Sequence, residues 1–255
     1  MAESRRVSKL CSIAGVAFLA LTGSAFAGGS LKDEPKAERE FTYSFTLTGT
    51  SDYVFRGVSQ SDNDPTIQGS FGIGYGIFYA GVWATGIDWT SDPDANIETD
   101  FYAGIKPTWG KATFDFGVIY YDYPGASNGY DILELKAGVS GEITDKLTGT
   151  ATFYYSPDYK DKEWGVYEFG LAYALPKFHV FDPSISGLYG YVDDYNGGTS
   201  YSYWNAGLSL AVDKLTFDLR YWDTDLSAGE CLSYTGNGTN LCDERFVFSA
   251  TLALP

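Results

Sequence analysis

After residue 27 the chain has no apolar run approaching the roughly 18 residues a membrane-spanning helix needs, which excludes a helical crossing by the rest of the protein. It has one histidine, His179, in a short turn with no serine and carboxylate arranged beside it in sequence. That gives no support to Ser–His hydrolysis, and the expectation is a protein that is not an enzyme. No Cys/His cluster has zinc-ligand spacing and no glycine-rich loop has the phosphate-binding pattern, so neither a metal nor another cofactor is expected. Basic residues are also scarce, 17 against 33 acidic. A chain this acidic has no basic patch for nucleic acid.

Residues 1–27 read as a cleaved secretory signal peptide. Arg5, Arg6 and Lys9 form the positive segment, Leu10 to Leu21 the apolar one, and Ala25-Phe26-Ala27 the small-residue cleavage site. Its removal leaves 14 basic and 32 acidic residues, a formal charge of −18. Residues 28–40 are small, charged and aperiodic and read as a flexible periplasmic N-terminal tail. Of three cysteines, Cys11 leaves with the leader. Cys231 and Cys242 remain in one glycine-rich loop, and an even count in an exported chain favours a disulfide between them.

What is abundant is aromatic: 21 Tyr, 17 Phe and 6 Trp, a composition suited to pleated, half-buried surfaces. From Phe41 the pattern has period two almost throughout. Twelve strands are expected, at Phe41–Gly57, Thr66–Tyr75, Phe78–Trp89, Asn96–Trp109, Ala112–Tyr121, Tyr130–Ile143, Leu147–Tyr155, Trp164–Leu175, Ser184–Tyr195, Tyr201–Val212, Leu215–Asp225 and Arg245–Leu254. Most reach the ~9–11 residues that span a bilayer when tilted. Long polar connections alternate with short turns, and aromatics crowd the strand ends. Together these predict an all-β chain, with residues 41–255 forming a transmembrane antiparallel up-and-down β-barrel of about twelve strands in a bacterial outer membrane. Its surroundings would be outer-membrane lipids and lipopolysaccharide. A soluble β-sandwich would use shorter strands, about five or six residues.

With the aromatic face toward lipid, the other face lines the bore. It carries Asp52, Arg56, Asp88, Glu98, Asp100, Lys106, Asp115, Glu134, Lys136, Glu168, Asp218, Arg220 and Arg245, and such charges must be paired or hydrated. Two functions follow. One is a porin-like channel for passive diffusion of small hydrophilic solutes or ions, mildly cation-preferring because lumen charges tune selectivity. The other is a non-conducting barrel whose bore is filled by salt bridges and whose acidic loops bind a ligand, lipid or partner. Aspartates at the loop ends, such as Asp62, Asp64, Asp92, Asp94, Asp158, Asp161, Asp193 and Asp194, read as turn chemistry or as an acidic rim.

Ser51-Asp52-Tyr53-Val54-Phe55-Arg56-Gly57-Val58-Ser59-Gln60-Ser61, then Asp64-Pro65 and Phe78-Tyr79-Ala80-Gly81-Val82-Trp83, resemble the TorF family of proteobacterial porins. Glu98-Thr99-Asp100-Phe101-Tyr102-Ala103-Gly104 is similar to that family's next block. The resemblance implies a porin-like outer-membrane protein. In this reading Ser51–Ser61 is the upper half of strand one, with Tyr53 and Phe55 toward lipid, Asp52 and Arg56 toward the bore, and Ser59–Asp64 as the first external loop. Amino-terminal sequencing of the mature protein should begin at Gly28; retention of Arg5 and Arg6 would refute the cleaved leader.

Overall fold

The structure, a computed structural model, describes residues 41–255 apart from residues 90, 128, 160, 161 and 237, and the backbone alone at 158, 159 and 162. The expected signal peptide, the expected N-terminal tail and Asp161 lie outside the described residues, as does the side chain of Asp158. The strands in chain order are β1 (Phe41–Thr50), β2 (Val54–Phe55), β3 (Val58–Ser59), β4 (Thr66–Tyr75), β5 (Phe78–Gly86), β6 (Ile97–Ile105), β7 (Thr108–Trp109), β8 (Ala112–Asp122) and β9 (Ile132–Glu142). They continue with β10 (Leu147–Tyr159), β11 (Lys162–Ala174), β12 (Asp182–Asp194), β13 (Tyr201–Val212), β14 (Leu215–Thr224) and β15 (Arg245–Leu254). Among the described residues a single helix, α1 (Ala228–Thr235), precedes β15.

Twelve of these strands form a closed antiparallel barrel. Each pairs with its sequence neighbours, β1 pairs with β15 from Phe45↔Leu254 to Thr50↔Ser249, and β6 pairs with β8 across the short β7. Closure leaves no strand edge bare, which is the condition for a sheet to cross hydrocarbon. Pro107 explains why the expected strand Asn96–Trp109 is split. Proline has no N–H to give the ladder, so β6 stops at Ile105 and pairing to β8 resumes at Thr108. The short turns are tight: Gly76 (φ 62°) and Asp213 (φ 52°) take left-handed backbone in the two-residue connections β4–β5 and β13–β14.

Side chains alternate about the wall. Outward residues such as Phe45, Phe71, Phe101, Phe169, Leu219 and Phe248 are all at least 40 % exposed, an apolar belt that a soluble protein would have to cover. Inward residues differ between the two ends. Toward the long loops they are large and buried, among them Tyr121, Tyr154, Val166, Tyr203 and Trp222. Toward the short turns many are small and hydroxylated, as with Thr46, Thr48, Ser70, Thr150 and Thr251, none of them fully buried, beside a cluster of Tyr79, Lys106 and Asp115. Large buried side chains are therefore concentrated near the loops.

Three expectations need correction here. β1 ends at Thr50, because the chain then leaves the wall and turns into the barrel as the β2–β3 hairpin. Tyr53 (4 % exposed) and the half-buried Phe55 accordingly face the interior and not lipid, and residues 51–61 are an in-folded segment in place of an external loop. β5 ends at Gly86, so Asp88 is on no strand and is exposed to solvent. The connection before β15 contains α1, capped by Ser227 and Glu230 in a reciprocal capping box, a local signal within the sequence Ser227-Ala228-Gly229-Glu230.

Small inward residues make room for the large ones opposite them in the ladder. A Cβ on Gly190 would lie 2.1 Å from the ring of its cross-strand partner Tyr203. Gly190→Val should cost about 1–3 kcal/mol through overpacking. It should lower the temperature at which the barrel loses its folded mobility in detergent electrophoresis, and an unchanged transition would contradict this packing.

Candidate functional site

The site is the in-folded segment and the wall it rests on. Arg56 (φ 50°) and Gly57 (φ 85°) form the tip of the β2–β3 hairpin, both left-handed as a two-residue hairpin turn requires. Gly57 is needed for a second reason: a Cβ there would lie 2.4 Å from Thr224 and 2.8 Å from Tyr203, so the tip is pressed against β13 and β14. Arg56 extends to the opposite wall. Its Nη1 and Nη2 donate to Oε1 and Oε2 of Glu134 on β9 at 2.8 and 2.9 Å, a bidentate pair with both side chains out of solvent. The hairpin tip thus touches both sides of the barrel at once.

Glu134 is held for this role. Tyr121 on β8 donates to Oε2 at 2.9 Å and Trp164 on β11 to Oε1 at 2.8 Å, so each carboxylate oxygen accepts two hydrogen bonds. The Arg56 guanidinium lies 4.6 Å from the Phe55 ring and 5.2 Å from that of Tyr154. The hairpin is not part of the membrane-crossing wall. Burial there opposes the charge of Arg56, but the adjacent Glu134 carboxylate outweighs it and holds the guanidinium above its ordinary pKa.

The root of the hairpin is fixed by Asp52. It accepts from Ser59 Oγ at 2.7 Å, Ser61 Oγ at 3.0 Å and Arg245 Nη1 at 3.1 Å. Arg245 also donates to Asn63 and, at 3.0 Å, to the carbonyl of Asn240 in the segment that follows α1. This segment lies over the mouth. Ser59 N–H donates to Leu241 O at 2.8 Å, Thr224 Oγ1 donates to Cys242 O at 3.1 Å, and the Tyr234 ring meets Tyr201 edge-on at 5.2 Å. The expected Cys231–Cys242 disulfide is formed, with a Cα separation of 5.9 Å and both cysteines buried. Lid and hairpin make one cap on the loop side of the barrel.

The remaining candidates fall into separate clusters. Lys136 donates to Asp115 at 2.8 Å, Lys106 lies 3.7 Å from the same oxygen, and Tyr79 donates to Asp115 at 2.7 Å. Arg220 bonds Asp218 at 3.0 and 3.1 Å, Asn205 at 2.6 Å and Ser186 at 2.9 Å. Glu168 accepts from Tyr203. Glu98 accepts from Tyr53 at 2.9 Å and lies beside Asp100; neither is in an ion pair among the described residues. Asp88 is apart from all of these. No cluster of three or more metal-ligating side chains exists among the described residues.

Sequence reasoning missed the partners: Tyr121, Trp164, Tyr203, Asn205, Ser59 and Ser61. A signal was present in parity. Tyr121 is in phase with Asp115, and Tyr203 with Asn205, on the face that carries the polar residues.

Among solved structures, the fold is similar to a KdgM porin in complex with disordered oligogalacturonate, with a TM-score of 0.58 at 10 % identity over 83 % of this chain and 99 % of that one. A KdgM porin alone gives 0.56 at 10 % identity and a NanC porin 0.52 at 9 %, each with the same coverage. At these identities the likeness is one of fold, a porin-type outer-membrane barrel. No curated protein matches the sequence. The family model that does match, over residues 32–253, carries the description of a bacterial protein of unknown function, Gcw_chp, and not the TorF name. The chain belongs to the Gcw_chp family.

Proposed function

We propose that the protein is an outer-membrane channel for small hydrophilic solutes or ions, closed at rest on the outer side by the β2–β3 hairpin and its disulfide-stapled lid. The observation that carries this is the hairpin tip bridging the bore, Arg56 on Glu134 at one wall and Gly57 on Tyr203 and Thr224 at the other. A filler of a purely structural barrel could be made of apolar side chains. Instead the plug is a separate two-stranded segment held at its tip by the Arg56–Glu134 ion pair and at its root by Asp52 with Arg245, a device that can move as a unit. Below it the bore is lined by hydroxyls and by the Lys106–Asp115–Lys136 cluster, a lining suited to water and ions. The porin-type fold supports the same reading.

Loop-side carboxylates, including Asp62, Asp64, Asp88, Asp94, Asp122, Asp193, Asp194 and Asp225, outnumber the basic groups there and would concentrate cations at the mouth. The oligogalacturonate held by the KdgM porin is an anion, and this mouth would repel it. The channel reading makes the protein a passage and not an enzyme. The second reading, a non-conducting barrel, draws on the packed interior near the loops.

Planar-bilayer recording separates the two. Wild-type protein should show small, infrequent openings, and replacement of residues 52–61 by a short glycine–serine link should raise conductance several-fold with a preference for cations. Silence from both proteins would establish the non-conducting barrel.

Arg56→Ala leaves Glu134 buried without its partner and should destabilise the barrel by about 3–5 kcal/mol. Arg56→Met combined with Glu134→Leu should recover most of that loss. Thermal unfolding in detergent measures both. In the conducting state Arg56→Ala should also raise cation over anion permeability, and unaltered selectivity would place Arg56 outside the ion path.

A further inference from the structure

The outer wall carries a concavity that the channel reading does not use. Along one line of the ladder Gly141 pairs with Gly149, Gly149 with Leu171, and Leu171 with Gly187, so Leu171 stands between two glycines with a third one strand further on. Leu171 and, one line higher, Phe169 stand out from this floor at 55 and 60 % exposure. The result is an apolar groove of ≈ 950 Å³ on β9 to β12, at the short-turn end of the barrel. This is the size of a ligand cleft, about 300–1,000 Å³.

At its foot the groove meets a second concavity of ≈ 540 Å³, the two sharing Lys111 and Ile143. That one is bounded by Lys146, Thr144, Asp145 and Tyr173. Trp109, 83 % exposed, marks the level at which indoles settle between hydrocarbon and water. Neither Lys111 nor Lys146 forms an ion pair with a described carboxylate. Glu142 and Asp145 border the same edge.

We propose that this joined surface binds one anionic phospholipid of the inner leaflet, its acyl chains along the glycine-floored groove and its phosphate between Lys111 and Lys146. The inference rests on the outer-membrane reading of the barrel. Hydrocarbon is the material available at that depth to fill a groove whose lining is mainly apolar, with Val139, Ile143, Ala151, Phe169 and Leu171 among it. Lys111 and Lys146 both line the concavity at the groove's foot, where their ammonium groups can meet a phosphate that Glu142 and Asp145, at the edge, cannot. Outer-membrane barrels turn their short connections to the periplasm, and that orientation selects a phospholipid over lipopolysaccharide.

Native mass spectrometry of protein extracted from phosphatidylglycerol–phosphatidylcholine vesicles tests this. Wild-type barrels should retain one phosphatidylglycerol. Lys111→Gln with Lys146→Gln should weaken retention about 30-fold, from ~1 kcal/mol per lysine. Ala151→Trp, which fills the groove and leaves both lysines, should abolish it. Absence of bound phospholipid, equal retention of phosphatidylcholine, or unchanged retention in the lysine variant would overturn the site. Insertion and conductance are measured on the same samples. A barrel that inserts but does not conduct counts against the channel alone, and one that conducts but holds no lipid counts against the site alone.

Discussion

A guanidinium and a carboxylate taken out of water must satisfy each other, and the interior of this barrel is arranged so that Arg56 and Glu134 do. Glu134 accepts four hydrogen bonds, two from Arg56 and one each from Tyr121 and Trp164. The groups that meet there come from the hairpin and from β8, β9 and β11. Without the pair, a buried charge would stand uncompensated at the centre of the molecule. The left-handed backbone at Arg56 and the close seat of Gly57 are both consequences of aiming that one side chain.

The barrel itself was legible from the residues. Strict alternation over stretches such as Thr66–Tyr75, Tyr201–Val212 and Arg245–Leu254 set strand bounds that the structure matches to the residue. A lipid-facing belt and long-short loop alternation set the topology. These signals are local, and period two depends only on which face is wet.

The site was far less legible. Ser51–Ser61 also alternates, and a strand that continues along the wall and one that folds into the bore give the same pattern. What distinguishes them is the Arg56-Gly57 turn, and arginine is not among the residues that advertise such a turn. Once the hairpin turns inward, Tyr53 and Phe55 exchange lipid for Glu98 and Tyr121. The cross-barrel partners are 45 to 193 residues apart in the chain, a spacing at which no local pattern operates. Asp52 and Arg245 are both expected bore residues, but nothing in their flanking sequences indicates that they meet.

That separation also dictates an order of assembly. The Arg56 latch requires β9, 78 residues on, and the Asp52 anchor requires Arg245, the first residue of the last strand. β1 cannot close the ring until β15 has arrived. The hairpin emerges early in synthesis yet has nowhere to seat until nearly the whole wall exists. The plug and the closed wall therefore depend on the same late-made strand, and neither can be completed before it.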